Sequence, residues 1–244
     1  MSDVTCCIKA FERPHHLDRL VQSIRYYYPD IPILIVDDSH TPIRVSGPGI
    51  RTVTLPYDSG LSAGRNELVR LVTTPRLVML DDDFVFTVQT KLETLHGLLD
   101  TYPDIDIVGG QVENVPRQMF GFHGTLDPSR GRHMLLRKAI LEQRCGMDVV
   151  EVIPNFFMAR TERLRLVPWD PELKLSEHLD FFIRARGVLK VGICDTVAIK
   201  HDRGTCSDTY KRLRGRSATF QRMAERKHGI TRKPIPQIKS ARRR

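Results

Sequence analysis

Cysteine is scarce in this chain of 244 residues: there are five, an odd number, with no C-x-x-C pair among them. That pattern argues against a zinc site and against a complete disulfide framework. Cys6 and Cys7 lie in an apolar segment and read as core filler; a Cys194–Cys206 bridge stays open should the chain meet an oxidising compartment. No apolar run approaches the ~20 residues needed to span a bilayer. The first residues lead straight into a strand-like segment, without the core of a signal peptide. The expectation is a cytoplasmic protein, peripheral at a membrane at most, or the soluble catalytic part of a longer anchored one. Internal repeats are missing, as is low-complexity sequence outside the C-terminal end. Acids are nearly missing from Tyr210 onwards, where 13 Lys/Arg face a single Glu225. The rest carries 25 Lys/Arg and 28 Asp/Glu, so the net charge of +9 belongs to the tail and not to the body. Such a tail suits an anionic membrane, non-specific nucleic acid or a solubilising end.

What is present is an ordinary globular composition, 41% hydrophobic and 27% charged, long enough for a substantial core. The organising stretch is Leu77–Leu80, four apolar residues that run into Asp81, Asp82 and Asp83. The run suits a buried strand of a parallel sheet, which puts the carboxylates at its carboxyl end, where open α/β sheets bind ligands. Three adjacent carboxylates repel unless a positive charge sits among them, and a hard divalent cation that also holds phosphate oxygens is the natural candidate. The alternative is an acidic turn capping the next helix.

Around that stretch the apolar spacing predicts a strand at Asp3–Ile8, a helix over His15–Tyr28 between Pro14 and Pro29, and a second strand at Ile31–Val36 that ends in Asp37-Asp38-Ser39. This is a βαβ unit with an acidic pair on its ligand-facing edge. A third strand, Ile50–Leu55, precedes the glycine-bearing loop Asp58–Asn66, whose Gly60, Gly64 and Arg65 open a helix and suit an anion such as a diphosphate. A helix over Val88–Tyr102, a strand over Asp106–Val112 and an irregular stretch from Glu113 to Val150 follow. That stretch has turns at Pro116, Gly121, Gly124, Pro128 and Gly131. Ser176 is placed to cap a helix reaching Arg186. A strand over Val188–Lys200 then ends near His201, and a last helix over Asp208–Lys227 leads into the tail. Phe156, Phe157, Phe181 and Phe182 fit the core better than a sugar platform. Trp169 is a candidate acceptor contact, and His15 and His16 are expected to be solvated.

In this order the segments Phe11–Ile24, Ile35–Ser39, Asp58–Asn66, Leu80–Phe84, Asn155–Lys174 and Glu177–Phe182 resemble inverting glycosyltransferases of the GT-A fold. Nearer still, they resemble the β-1,4-N-acetylgalactosaminyltransferases, with Arg160–Asp170 and Glu177–Phe182 the more specific parts. The resemblance implies an α/β fold of the GT-A type, a Rossmann-like mixed sheet flanked by helices. It implies one domain over 1–204, with a nucleotide-binding part about 1–112 and an acceptor part about 113–204, and a basic helix and tail over 205–244.

The same resemblance implies that N-acetylgalactosamine, or a related N-acetylhexosamine, moves from a UDP-sugar to a glycan or glycolipid hydroxyl, and it disfavours nucleic acid as a partner. Donor contacts fall to Phe11, Glu12, Asp37, Asp38, Gly60, Arg65, Asp81 and Asp82, with Asp38 on uracil, Arg65 beside the diphosphate and Asp81 towards ribose. Asp37 either joins Asp38 or caps its turn. Asp83 and His201 would hold Mn²⁺ or Mg²⁺, and a mixed oxygen and imidazole set leans towards Mn²⁺. The general base is one of Glu177, His178 and Asp180, with Glu177 favoured. A sugar nucleotidyltransferase, the alternative enzyme, would carry a Gly-rich loop after the first strand, where Lys9–Pro14 has only Ala10 as a small residue. A non-catalytic sugar- or nucleic-acid-binding module rests on the tail alone.

Overall fold

The first strand, β1 (Val4–Ala10), is buried from end to end, and its neighbours grow outward from it. In the computed structural model, which describes residues 1–115, 118–120, 123–127, 134–202 and 204–230, β1 pairs in parallel with β2 (Ile33–Asp37) and β4 (Arg76–Asp81). Outside β2 lies β3 (Ile50–Thr54), also parallel. The period-2 alternation sorts side chains between two cores. Cys6, Ile8, Ile33, Ile35, Val78 and Leu80 face one, while Cys7, Leu34, Val36, Leu77 and Met79 face the other. Cys6 and Cys7 are core filler on opposite faces, and burial pushes the Cys6 thiol up to about 12.

Helices cover both faces. Pro14 opens α1 (Pro14–Tyr27), whose Leu17, Leu20, Val21 and Ile24 recur at helical spacing and seal the first core, each contributing roughly 2 kcal/mol by burial. The same core takes Leu92, Leu95 and Leu99 of α3 (Leu92–Thr101). On the other face lie α2 (Leu61–Leu71), α4 (Thr161–Leu164) and α5 (Glu177–Ala185). Phe156, Phe157, Phe181 and Phe182 are all fully buried. Trp169 stacks on Phe181 with centroids 4.3 Å apart, so it is a core residue and not an acceptor contact.

The sheet continues beyond β4. The short β5 (Phe84–Val85) follows the aspartates and pairs antiparallel with the long β13 (Val191–His201). Next to β4 comes β12 (Phe157–Arg160), antiparallel to it and to β6 (Ile107–Asn114), and β13 runs parallel to β6. Beyond β6 in the chain lie β7 (Gln118–Phe120), paired with β6, and the separate hairpin of β8 (Gly124–Asp127) and β9 (Met134–Arg137). β10 (Glu142–Arg144) and β11 (Met147–Val150) close the far edge. The order β10-β11-β13-β6-β12-β4-β1-β2-β3 is one mixed sheet that runs unbroken across residue 112. Of the turns read from the irregular stretch, Pro116, Gly121, Pro128 and Gly131 lie outside the described residues.

The C-terminal helix predicted over Asp208–Lys227 is two helices, α6 (Asp208–Arg214) and α7 (Ser217–Lys227), broken at Gly215-Arg216. Both residues keep helical dihedrals, and the Arg216 side chain donates to Asp58 at 2.7 Å. Ser176 does not cap α5: it adopts a left-handed conformation (φ 59°) and its hydroxyl donates to the Ser217 carbonyl instead. Cys194 and Cys206 are not joined by a disulfide, so the bridge left open between them is not formed. His16 is buried, contrary to its expected solvation, whereas His15 is exposed. The chain beyond Ile230, with the last six basic residues of the tail, lies outside the described residues.

Candidate active site

β1, β2 and β4 end at one edge of the sheet and bring Lys9, Asp38 and Asp81 there. A cleft of about 280 Å³ opens at that edge, between the ends of β1, β2 and β4 on one side and the start of α5 and α6 on the other. At the end of β1 the buried Lys9 ammonium pairs with Asp38 Oδ1, and Asp38 Oδ2 accepts from the Gly60 amide at 2.7 Å. Gly60 has φ 95°, and a Cβ there would lie 2.6 Å from the Lys174 backbone, so this turn requires glycine. Gly64 is packed as closely, against the Lys9 side chain.

Asp37 does not join the cleft. Its Oδ1 accepts from the Ser39 amide and hydroxyl, and its Oδ2 accepts from the Ile43 amide at 2.7 Å, so of its two readings the turn cap is the one found. Glu12 also turns away, its Oε1 accepting from the His40 amide at 2.7 Å in a left-handed turn (φ 56°). Phe11 lines the cleft and stacks on Tyr57.

The three aspartates separate. Asp81 Oδ1 accepts from Arg65 at 2.9 Å, and its Oδ2 from Asn155 at 3.5 Å. Asp82 accepts from the Phe11 amide at 3.1 Å and pairs with Arg13. Asp83 accepts from Arg13 Nη1 at 2.5 Å and meets His201 Nε2 at 3.0 Å. Burial pushes Asp82 up despite the opposing charge of Arg13, with the neighbouring Asp83 adding to the push. Burial acts on Asp83 too, but the hydrogen bond from His201 and the charge of Arg13 outweigh it and hold its carboxyl well below the usual range.

Arg65 is enclosed between Asp81 and Glu177, with Glu177 Oε1 on its Nη1, so it serves first as the tie between β4 and α5. Burial disfavours its charge, yet the two carboxylates raise its pKa above the ordinary value. Beside Glu177, His178 Nδ1 donates to Asn155 Oδ1 at 2.5 Å, and burial lowers its pKa to about 4. Asp180 is absent from the cleft. It lies one turn along α5, where Arg184 Nε (2.8 Å), Lys227 Nζ (2.8 Å) and His228 Nε2 (2.8 Å) surround it. Asp180 anchors α7 and is withdrawn as a base candidate.

A divalent cation fits Asp83 and His201. His201 Nδ1 donates to Asn114 Oδ1 at 2.7 Å, which leaves Nε2, the nitrogen facing Asp83, as the one that would ligate a cation. Among the described residues no three His, Cys, Asp or Glu side chains converge on a metal by themselves. Two protein ligands suit a cation that takes its remaining oxygens from phosphate and water.

Sequence reasoning missed Lys9, Arg13 and Asn155, which pair with the expected carboxylates. It also missed the cover supplied by α6, where the Tyr210 ring centroid lies 4.5 Å from the Arg13 Cζ and Arg214 lines the cleft, joined there by Arg216 just beyond the helix. The signal for Lys9 and Arg13 was present, since both flank the end of β1 and a buried acidic cluster needs nearby cations. Part of the basic tail thus belongs to the site.

Residues 5–162 match the family described as glycosyl transferase family 2. The chain is 37% identical to β-1,4 N-acetylgalactosaminyltransferase 1 of Homo sapiens, covering 86% of this chain and 43% of that protein. It is 37% identical to β-1,4 N-acetylgalactosaminyltransferase 2 of Mus musculus, covering 81% and 39%. The chain therefore spans less than half the length of these relatives. Among solved structures, S. aureus TarS residues 1–349 superpose with a TM-score of 0.62 at 13% identity, over 93% of this chain and 73% of that one. GalNAc-T7 with UDP, GalNAc and Mn²⁺ superposes with a TM-score of 0.62 at 13% identity, over 93% and 54%. These two likenesses establish the GT-A fold.

Proposed function

The chain belongs to glycosyl transferase family 2, and from that premise we propose that it transfers N-acetylgalactosamine, or a related N-acetylhexosamine, from UDP to a glycan hydroxyl with inversion at the anomeric carbon. The observation that carries this reading is the convergence of Asp38, Asp81, Asp83, Glu177 and His201 on one cleft. The donor sugar rests on the likeness to the N-acetylgalactosaminyltransferases.

Asp38, held by Lys9 and the Gly60 amide, retains lone pairs for the imide N–H of uracil. Asp81 is fixed by Arg65 and Asn155 and faces the ribose. Asp83 and His201 are the residues that would hold Mn²⁺, whose positive charge supports departure of the diphosphate when bound. Arg214 on the other side of the cleft adds positive charge for the same leaving group, while Arg216 is paired with Asp58. As the acceptor oxygen bonds to the anomeric carbon, the bond from that carbon to UDP breaks with its electron pair, and Glu177 takes the acceptor proton. Arg65 holds Glu177 Oε1 and so orients the carboxylate. His178, neutral at pH 7 with its pKa at about 4, is a weaker base and positions Asn155.

The test is incubation with Mn²⁺ and a panel of nucleotide sugars while UDP release is measured. Hydrolysis of a UDP-N-acetylhexosamine is expected. No release from any UDP-sugar, together with no calorimetric binding of UDP plus Mn²⁺, overturns the reading. Asp83→Ala should abolish metal-dependent UDP binding, whereas Glu177→Gln should retain binding and lower kcat by about 10²-fold or more. Retained turnover in Glu177→Gln would move the base to His178.

A further inference from the structure

Arg13 occupies the ground that a metal would need. Its Nη1 lies 2.5 Å from Asp83 Oδ2, the same oxygen that meets His201 Nε2 at 3.0 Å, and its Nη2 pairs with Asp82 Oδ1. The guanidinium thus straddles two carboxylates on the side where the Asp83 and His201 donor atoms meet. Nothing about this placement is casual. β1 ends at Ala10, and the chain passes through the left-handed turn at Glu12 before Pro14 starts α1, which aims residue 13 back over the aspartates. Arg13 is only 9% exposed, and the Tyr210 ring of α6 covers it with Cζ 4.5 Å from the centroid. Its Nε is buried without a hydrogen-bond partner, so the side chain is not fully satisfied where it sits.

We propose that Arg13 is a resident counter-cation of the aspartate triplet, one that a divalent metal must displace and that then turns to the nucleoside diphosphate. A guanidinium hydrogen-bonded to Asp83 Oδ2 and a metal bonded to the same oxygen would put two cations on one lone-pair site. They exclude each other. A released guanidinium must find another anion, and a diphosphate offers paired oxygens to its planar fork. Metal alone therefore binds weakly, because it has to expel Arg13 from Asp83 while the cleft's other carboxylates Asp38, Asp81, Glu177 and Asp58 are already held by Lys9, Arg65 and Arg216. Metal and nucleotide together bind well. Arg13 couples the two ligands and keeps the carboxylates balanced between turnovers.

The inference rests on Asp83 and His201 being the metal site, and the experiment separates the two. Mn²⁺ affinity is measured calorimetrically without nucleotide for the wild type, Arg13→Gln, Arg13→Lys and the double variant Arg13→Gln/Asp83→Asn. UDP affinity at saturating Mn²⁺ is measured for the first three. Arg13→Gln is expected to bind Mn²⁺ alone about tenfold tighter and UDP about tenfold more weakly. Its thermal midpoint without ligands should fall below wild type and be restored by Mn²⁺ alone. Arg13→Lys keeps the charge without the fork and should lie between the two. Equal or weaker Mn²⁺ binding in both Arg13 variants overturns the proposal while leaving the metal site intact. Tight Mn²⁺ binding that survives Asp83→Asn in the double variant would instead remove Asp83 from the metal site.

Discussion

Glu177 and Asp180 stand three residues apart on one helix, both buried and both acidic, yet their partners give them different work. Glu177 has a single guanidinium from across the cleft, while Asp180 has Arg184, Lys227 and His228 around it. Burial disfavours the charge of Asp180, but hydrogen bonds from Lys227 and His228 outweigh it and lower its pKa. Removing that charge leaves its cations unpaired, so Asp180→Asn is expected to cost about 3 kcal/mol in urea denaturation while changing UDP affinity less than twofold. A loss of turnover with unchanged stability would return Asp180 to the list of bases. His178 carries a pH signature. Its folded pKa of about 4 lies below the ordinary 6.5, so the unfolded chain takes up the proton first as pH falls. The stabilisation from keeping it neutral is full above pH 6.5 and is lost progressively down to pH 4. At pH 5 roughly 2 kcal/mol should be gone, and His178→Gln should show a correspondingly smaller drop between pH 7 and pH 5. Residue types were legible in the sequence at this scale, but partners were not. The one local sign that separates Glu177 from Asp180 is Arg184, four residues on from Asp180 in the same helix; the other cations come from residues 65, 227 and 228.

Elements built from local contrast were the easiest to foresee. An apolar run before an acidic pair gave β2 and β4, and prolines with a four-residue apolar rhythm gave α1. The antiparallel β12 between β4 and β6 was beyond reach, since its two neighbours lie far away in sequence and no short-range signal fixes such pairing. The contact at the junction of α6 and α7 was hidden for a similar reason: the Arg216 side chain meets Asp58, which lies 158 positions earlier in the chain. The loop into α2 illustrates how an element's start sets the site. Gly60 combines φ 95° with a Cβ position 2.6 Å from the Lys174 backbone, and its amide holds Asp38. Gly60→Ala must therefore shift the loop. The expected cost is at least ~2 kcal/mol in denaturant unfolding, accompanied by weaker UDP binding. Unchanged UDP affinity in a destabilised protein would detach Asp38 from the base.

At the scale of the whole molecule the charge is divided between a nearly neutral body and a basic C-terminal stretch. That stretch itself divides. Tyr210, Arg214 and Arg216 line the cleft, whereas Arg222 and Arg226 of α7 are exposed and away from it. A truncation at Tyr210 would consequently confuse two functions, removing site residues together with surface charge. Removing only residues 231–244 takes away six Lys/Arg and leaves the cleft's lining in place. UDP affinity in Mn²⁺ should then stay within twofold of the full chain. Sedimentation with vesicles containing anionic lipid should fall sharply, since each basic residue near such a surface contributes about 1 kcal/mol. Arg214→Ala should do the reverse: weaken UDP binding by about fivefold, less so at high salt where exposed charges are screened, and leave vesicle binding nearly unchanged. Equal vesicle binding by the full and shortened chains would dissociate the tail from membranes. Unaltered UDP binding in Arg214→Ala would make α6 a cover for the cleft and not part of its charge. The two variants together decide whether one basic stretch serves one purpose or two.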